Sequence, residues 1–209
     1  MNKIGITSRI IIEDKHSEIR DVLDLKWMEL LHYIGFIPIV IPTGIDYPNY
    51  IKSLDIDGLI FSGGDSLFSI SRNNISELRD KKEKIILDFA IKESIPVFGV
   101  CRGMQFIAEY FGSTLKKLSN HVGTNHEIKP VHSFWGSDYL KQSNTVNSYH
   151  NYGINHLGDK LLSVAVADDA SVEAFVHKSL KIFGQMWHPE REEPFKVFDL
   201  ELIKYFFYD

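Results

Sequence analysis

The chain of 209 residues holds a single cysteine, so no disulfide can form within it. It lacks any run of about 18 apolar residues, which argues against a membrane-spanning helix. The N-terminus, MNKIGITSRIII, enters only a short apolar stretch, with neither the hydrophobic region nor the cleavage site of a signal peptide. A cytoplasmic protein with no membrane association is expected. An excess of positive charge is missing too: the net charge is -5, acids and bases are interspersed, and no basic tail or stripe offers itself to a phosphate backbone. Nucleic acid is therefore not an expected partner. No internal repeat, low-complexity tract or linker interrupts the chain. With 44% hydrophobic residues it is long enough to close one sizeable core, and one domain spanning 1–209 is expected.

What is present is alternation. Short β-rich runs at 3–7 and 37–42 flank residues 22–34, whose apolar positions recur at helical spacing. A helical stretch at 47–54, a strand at 57–64, a charged helix at 75–93 and an apolar strand at 96–100 repeat the pattern. Strands alternating with helices predict an α/β fold with a parallel sheet covered on both faces. After Cys101 a helix runs to about Phe111, with Gly112 ending it. Residues 114–118 and 121–148 read as hairpins and loops near a site. Strands return at 161–167, 171–177 and 181–186 before a last helix at 195–207.

Gly99-Val100-Cys101-Arg102-Gly103 stands where a buried strand gives way to a helix, the glycine-x-nucleophile-x-glycine arrangement in its cysteine form. A turn this tight needs glycines where side chains would strike strand and helix. The following helix aims its free N–H groups and positive dipole end at the sulfur. Without that context a lone cysteine is ordinarily a small buried hydrophobe. Gly63-Gly64-Asp65 closes a neighbouring strand, where the N–H groups of Gly64 and Arg102 would hold a tetrahedral oxyanion; the plainer reading is a strand-end turn. His188-Pro189-Glu190 follows another strand, and a thiol nucleophile needs a base that a third group orients. By itself His-x-Glu is a common surface pair.

Taken together, FSGGD at 61–65, Arg79-Asp80, PVFGVCRGMQ at 96–105, VNSYH at 146–150 and GQMWHPE at 184–190 resemble, in order and spacing, the class I glutamine amidotransferase superfamily. Within it the chain is similar to the γ-glutamyl hydrolase branch, which includes the γ-glutamyl-γ-aminobutyrate hydrolases. The resemblance implies a flavodoxin-like three-layer α/β/α sandwich with a mostly parallel central sheet. It implies Cys101 as nucleophile, His188 as base and Glu190 as its orienter, with oxyanion donors at Gly64 and Arg102. It further implies that Gly63, Gln105 and the segment Asn147, Ser148, Tyr149 and His150 bind the glutamyl group. A small-molecule γ-glutamyl substrate is expected, and the thiol chemistry calls for no metal or organic cofactor. The segment SLFSISRNNIS at 66–76 departs from the branch, lacking the proline-containing sequence many members carry there.

The leaving group stays open. A cytidine diphosphoramidate conjugate, of the kind used in bacterial capsule synthesis, would need a cationic patch, for which Arg72, Arg102, His121 and His126 are the candidates. Aminobutyrate, polyamine and folate-type conjugates are the alternatives. Two further readings are a glutaminase subunit feeding ammonia to a separate synthetase, and a regulatory binding protein without catalysis.

Overall fold

The computed structural model describes residues 1–142 and 145–208. Among these, a nine-stranded sheet runs in the order β4 (Ile37–Ile41), β1 (Lys3–Thr7), β5 (Gly58–Phe61), β6 (Val97–Val100), β13 (Ile182–Gln185), β12 (Val172–His177), β11 (Leu161–Ala167), β8 (Val122–Pro130) and β9 (Thr145–Tyr149). From β4 to β13 every pairing is parallel; from β13 to β9 every pairing is antiparallel. The parallel half carries the crevice, because its strands all end at one edge.

Alternation within a strand builds two cores. In β5, Ile60 packs with Trp27, Leu30, Leu31 and Phe206, whereas Leu59 and Phe61 face Ile86, Leu87, Met104 and Ile107. The first group brings α1 (Lys26–Tyr33) and α7 (Val197–Tyr208) onto one face. The second brings α2 (Tyr47–Ser53), α4 (Asn74–Glu93) and α5 (Arg102–Tyr110) onto the other, which makes the three-layer sandwich. Each such side chain contributes roughly 1.5–3 kcal/mol by leaving water. Local signals set the helix ends: Asn73 accepts from the N–H of Ser76 at 2.8 Å to open α4, and Ser94, in the left-handed region, closes it.

The helix expected at 22–34 starts later, at Lys26, because residues 9–22 form a hairpin, β2 (Arg9–Glu13) with β3 (Glu18–Val22). Ile10, Ile11 and Ile12 supply β-branched side chains, Ser17 turns the chain at φ 54°, and Asp24 accepts from the N–H of Lys26 to start α1. Residues 122–130 and 145–149, expected as hairpins and loops, do pair with each other, and they extend the main sheet. A second small sheet joins β7 (Thr114–Lys117) to β10 (Tyr152–His156), and short helices α3 (Phe68–Ser71) and α6 (Ser137–Leu140) and a 3₁₀ turn at Pro189–Arg191 complete the described elements. None of the described helices is long and apolar enough to cross a membrane.

One buried acid makes a pH dependence of stability expected. Asp199 in α7 accepts from the indole N–H of Trp187 at 2.8 Å, while its other oxygen is buried without a partner. Burial lifts its carboxyl from 3.8 to about 7, against the Trp187 bond that holds it down. The folded chain therefore binds more protons than the unfolded one between about pH 4 and 7, so stability falls as pH rises through that window. The expected slope is about 1.4 kcal/mol per pH unit. In Asp199→Asn, which keeps an acceptor for Trp187, urea midpoints measured from pH 4 to 8 should lose that slope, leaving the variant more stable than wild type at pH 8.

Candidate active site

Cys101 sits between β6 and α5 at φ 51° and ψ −107°, a conformation that costs a non-glycine residue on the order of 1–3 kcal/mol. Its N–H donates to Gln185 O of β13 at 2.8 Å, and its carbonyl accepts from Gln105 at 3.0 Å, so strand and helix both hold the turn. The flanking glycines are required by contact. A Cβ on Gly103 would lie 2.0 Å from Phe61 O, and one on Gly99 would lie 2.7 Å from Ile107 and 2.9 Å from Met104 N.

β13 lies beside β6 in parallel register, Val97 opposite Ile182 and Val100 opposite Gln185, so the chain beyond each strand emerges at the same edge. That brings His188 close enough to the Cys101 thiol for the sulfur to act on the imidazole charge. The Nδ1 of His188 lies 2.7 Å from Glu190 Oε1, both residues being 2% exposed. Pro189 and Glu190 begin a 3₁₀ turn, Pro189–Arg191, which brings the carboxylate back to the ring nitrogen. Burial would lower the His188 pKa, but the negative charges at Cys101 and Glu190 outweigh it and raise the value from 6.5 to about 10. The imidazole is therefore charged at neutral pH, paired on one side with sulfur and on the other with carboxylate.

The loop after β5 forms the facing wall. Gly63 leaves no room for a side chain, since a Cβ there would meet His188 Cε1 at 2.6 Å. Gly64 has φ +130°, which favours glycine. Buried Arg79 steadies this loop by donating to Ser62 O at 2.8 Å and Gly63 O at 3.1 Å. Glu83 accepts from Arg79, Thr7 and Arg102, and Asp80 also accepts from Arg102, so a largely buried charge cluster underlies both the Gly64 loop and the start of α5. Arg102 is the first residue of α5, and helical geometry leaves its N–H without an intrahelical acceptor.

The glutamyl-binding candidates divide. The Gln105 amide donates to Tyr152 O at 2.8 Å. Asn147 is buried and clamps the base: its Oδ1 accepts from His188 N–H at 2.9 Å, while its Nδ2 donates to His188 O at 2.8 Å and to Glu192 at 2.7 Å. Buried Ser148 donates to His121 O at 2.7 Å, and His150 turns toward Glu173. Tyr149 stays 45% exposed, its ring centroid 6.0 Å from that of His188.

The cationic patch is not built from the four residues that the sequence suggests. His121 and His126 lie around Glu173, drawn there by a buried carboxylate. The Arg102 guanidinium is buried on Asp80 and Glu83, and Arg72 caps α3 in the left-handed region without lining the crevice. The crevice has two other arginines. A hollow of about 220 Å³ is walled by Arg9, Leu23, Trp27, Gly63, Gly64, His188, Glu190 and Arg191 among others; Cys101 is not part of these walls. Among the described residues Arg9 has no ion-pair partner, and Arg191 lies over the Tyr149 ring at 4.7 Å, with Glu190 3.9 Å away. Arg9 belongs to the unforeseen hairpin; its only sequence signal is a position just beyond the first strand of a parallel sheet. A larger hollow of about 900 Å³, between Tyr110, His156 and Lys178, shares no residue with this one.

Comparison with known proteins agrees with this architecture. The gamma-glutamyl-CDP-amidate hydrolase of Campylobacter jejuni is 38% identical over 207 residues, covering 98% of this chain and 96% of that protein. A glutamine-hydrolyzing GMP synthase polypeptide of Thermoplasma acidophilum is 30% identical over 168 residues, covering 80% of this chain and 78% of that one. A solved glutamine amidotransferase from Thermotoga maritima superposes with a TM-score of 0.70 at 16% identity, over 97% of this chain and 82% of that one, and so shares the fold. The Peptidase C26 family model matches residues 3–190, and the chain belongs to the Peptidase C26 family.

Proposed function

We propose that the chain is a γ-glutamyl amide hydrolase working through Cys101, His188 and Glu190. The observation that carries this reading is the line of sulfur, imidazole and carboxylate at the ends of two adjacent parallel strands, with Nδ1 of His188 2.7 Å from Glu190. The Cys101 thiolate attacks the γ-carbonyl, the N–H groups of Gly64 and Arg102 take the oxyanion, and the His188 imidazolium protonates the departing nitrogen as the C–N bond breaks. Acylation then removes the negative charge from sulfur, which is one of the two charges holding the His188 pKa up. With that charge gone the His188 pKa falls, so the imidazole, neutral after giving up its proton, stays unprotonated at neutral pH and can serve as base for the water that hydrolyses the thioester. Glutamate leaves, and the thiolate–imidazolium pair is restored.

The leaving group belongs on the His188 side, because His188 delivers its proton. That is the side of the hollow with Arg9 and Arg191, whose charges suit an anionic leaving group. Asp24, also in the wall, is turned to the N–H of Lys26. Together with the name of the Campylobacter jejuni relative, this favours a nucleotide-linked γ-glutamyl amidate. Glutamate release should be measured across glutamine and the γ-glutamyl conjugates of aminobutyrate, a polyamine and a nucleoside diphosphoramidate. The nucleotide conjugate is expected to have the highest kcat/KM. Arg9→Ala and Arg191→Ala should each raise its KM about 10- to 100-fold, leaving glutamine turnover unchanged, since losing a charge-assisted contact costs about 1.5–3 kcal/mol. Equal effects on every substrate would remove the arginines from leaving-group recognition. Ammonia release from glutamine that needs a partner protein would point to a glutaminase subunit instead.

A further inference from the structure

On the far side of β13 from the thiol, the sheet encloses a second polar cluster. Glu173 of β12 is fully buried and faces three imidazoles: His121, just before β8; His126, within it; and His150, just after β9. His121 Nδ1 and His150 Nε2 lie 3.7 and 3.6 Å from Glu173 Oε1, and His126 Nε2 lies 3.4 Å from Oε2. The three inward nitrogens and Glu173 Oε2 are buried with no hydrogen-bond partner. Leaving so many buried polar atoms unsatisfied works against folding unless something fills the space between them.

Two details distinguish this from an ordinary histidine–carboxylate contact. First, the spacings are too long for hydrogen bonds, which close to about 2.7–3.2 Å. They are close to the edge of a tetrahedron built on metal–ligand bonds of 2.0–2.1 Å, roughly 3.3–3.5 Å. The inward atoms of His121, His150 and Glu173 all lie within 4.8 Å of one another. Second, the outward nitrogens are already engaged. His121 Nε2 is 3.0 Å from Asp169 Oδ2, and His150 Nδ1 is 3.1 Å from Tyr152 O. Both partners are acceptors, which suits an outward N–H and leaves Nδ1 of His121 and Nε2 of His150 as the nitrogens available to a metal. Outer acceptors that fix the tautomer in this way are the usual surroundings of metal-binding histidines. Ser171 donates to Asp169 Oδ1 at 2.7 Å, on the carboxylate that His121 Nε2 faces.

We propose that His121, His150 and Glu173 bind a divalent transition-metal ion of the zinc type. Imidazole and carboxylate ligands suit zinc, cobalt and nickel. The sequence points to no metal-binding residues anywhere in the chain, and a metal here departs from that expectation. The ion would fasten β8 and the end of β9 to β12. Since β9 carries Asn147, which grips the main chain of His188 on both sides, the metal would hold the strand that positions the base.

The test uses Cys101→Ala protein, so that the thiol cannot capture metal. After treatment with a chelator and dialysis, the protein is titrated with Co²⁺, and Zn²⁺ content is measured by elemental analysis. One ion per chain is expected, with the visible absorption of four-coordinate Co²⁺ and a higher Tm on adding Zn²⁺. Glu173→Gln, which keeps the side-chain shape, and His150→Ala should each weaken Co²⁺ binding at least about 100-fold and abolish the Tm response. Circular dichroism of both variants, recorded without metal, reports whether they fold. Substoichiometric binding to the Cys101→Ala protein would overturn the proposal, as would unchanged binding in folded Glu173→Gln.

Discussion

Cys101→Ala is expected to reduce γ-glutamyl hydrolysis by at least about 10⁴-fold, because no other group at the elbow can form the acyl intermediate. The fold should be little affected. Alanine keeps the Cβ and the same φ of 51°, and the main-chain bonds to Gln185 and Gln105 do not involve sulfur. An acid-quenched reaction examined by intact-protein mass spectrometry should show a glutamyl adduct on wild type and none on the variant. More than a tenth of the wild-type rate in Cys101→Ala, with circular dichroism unchanged, would remove the thiol from the mechanism.

Glu190→Gln carries the next largest effect, a fall in kcat of about 10³–10⁴, by the logic that an amide in this position supports the wrong imidazole tautomer. Glutamine can turn its NH₂ toward His188 Nδ1, which leaves the proton on the nitrogen facing sulfur and no base for the thiol. The variant also has a distinct pH signature. Glu190 is one of the two charges that hold His188 near 10, so its loss lowers the His188 pKa and moves the alkaline limb of the rate profile to lower pH. A merely structural role for Glu190 would reduce activity without moving that limb. The comparison therefore requires kcat across pH 6 to 10 for both proteins.

The parallel half of the sheet was legible because its strands are short apolar runs separated by helical periods, a pattern that Ile60 between Leu59 and Phe61 shows at the scale of single residues. The elbow was legible for a different reason: the sterics around Gly99 and Gly103 are local, so they leave a mark within five residues. Long-range contacts leave no such mark. Asn147 reads as a polar loop residue until β9 brings it against His188, 41 positions later in the chain. The four members of the histidine–glutamate cluster are spread from 121 to 173, with no spacing that suggests metal ligation. Arg9 was hidden along with its hairpin, since a β2–β3 pair that joins no larger sheet has only its isoleucines to announce it.

The contact between α5 and β5 also governs how this chain can vary. At Gly103 the obstacle is the main-chain oxygen of Phe61, which cannot be trimmed by changing its side chain, so no compensating substitution at position 61 makes room. In a saturation library, position 103 should tolerate one amino acid only. Clones that fail there would keep sulfur, imidazole and carboxylate and yet score as dead. An activity screen alone would thus place a packing constraint among the chemical ones, and measuring soluble yield alongside turnover separates the two.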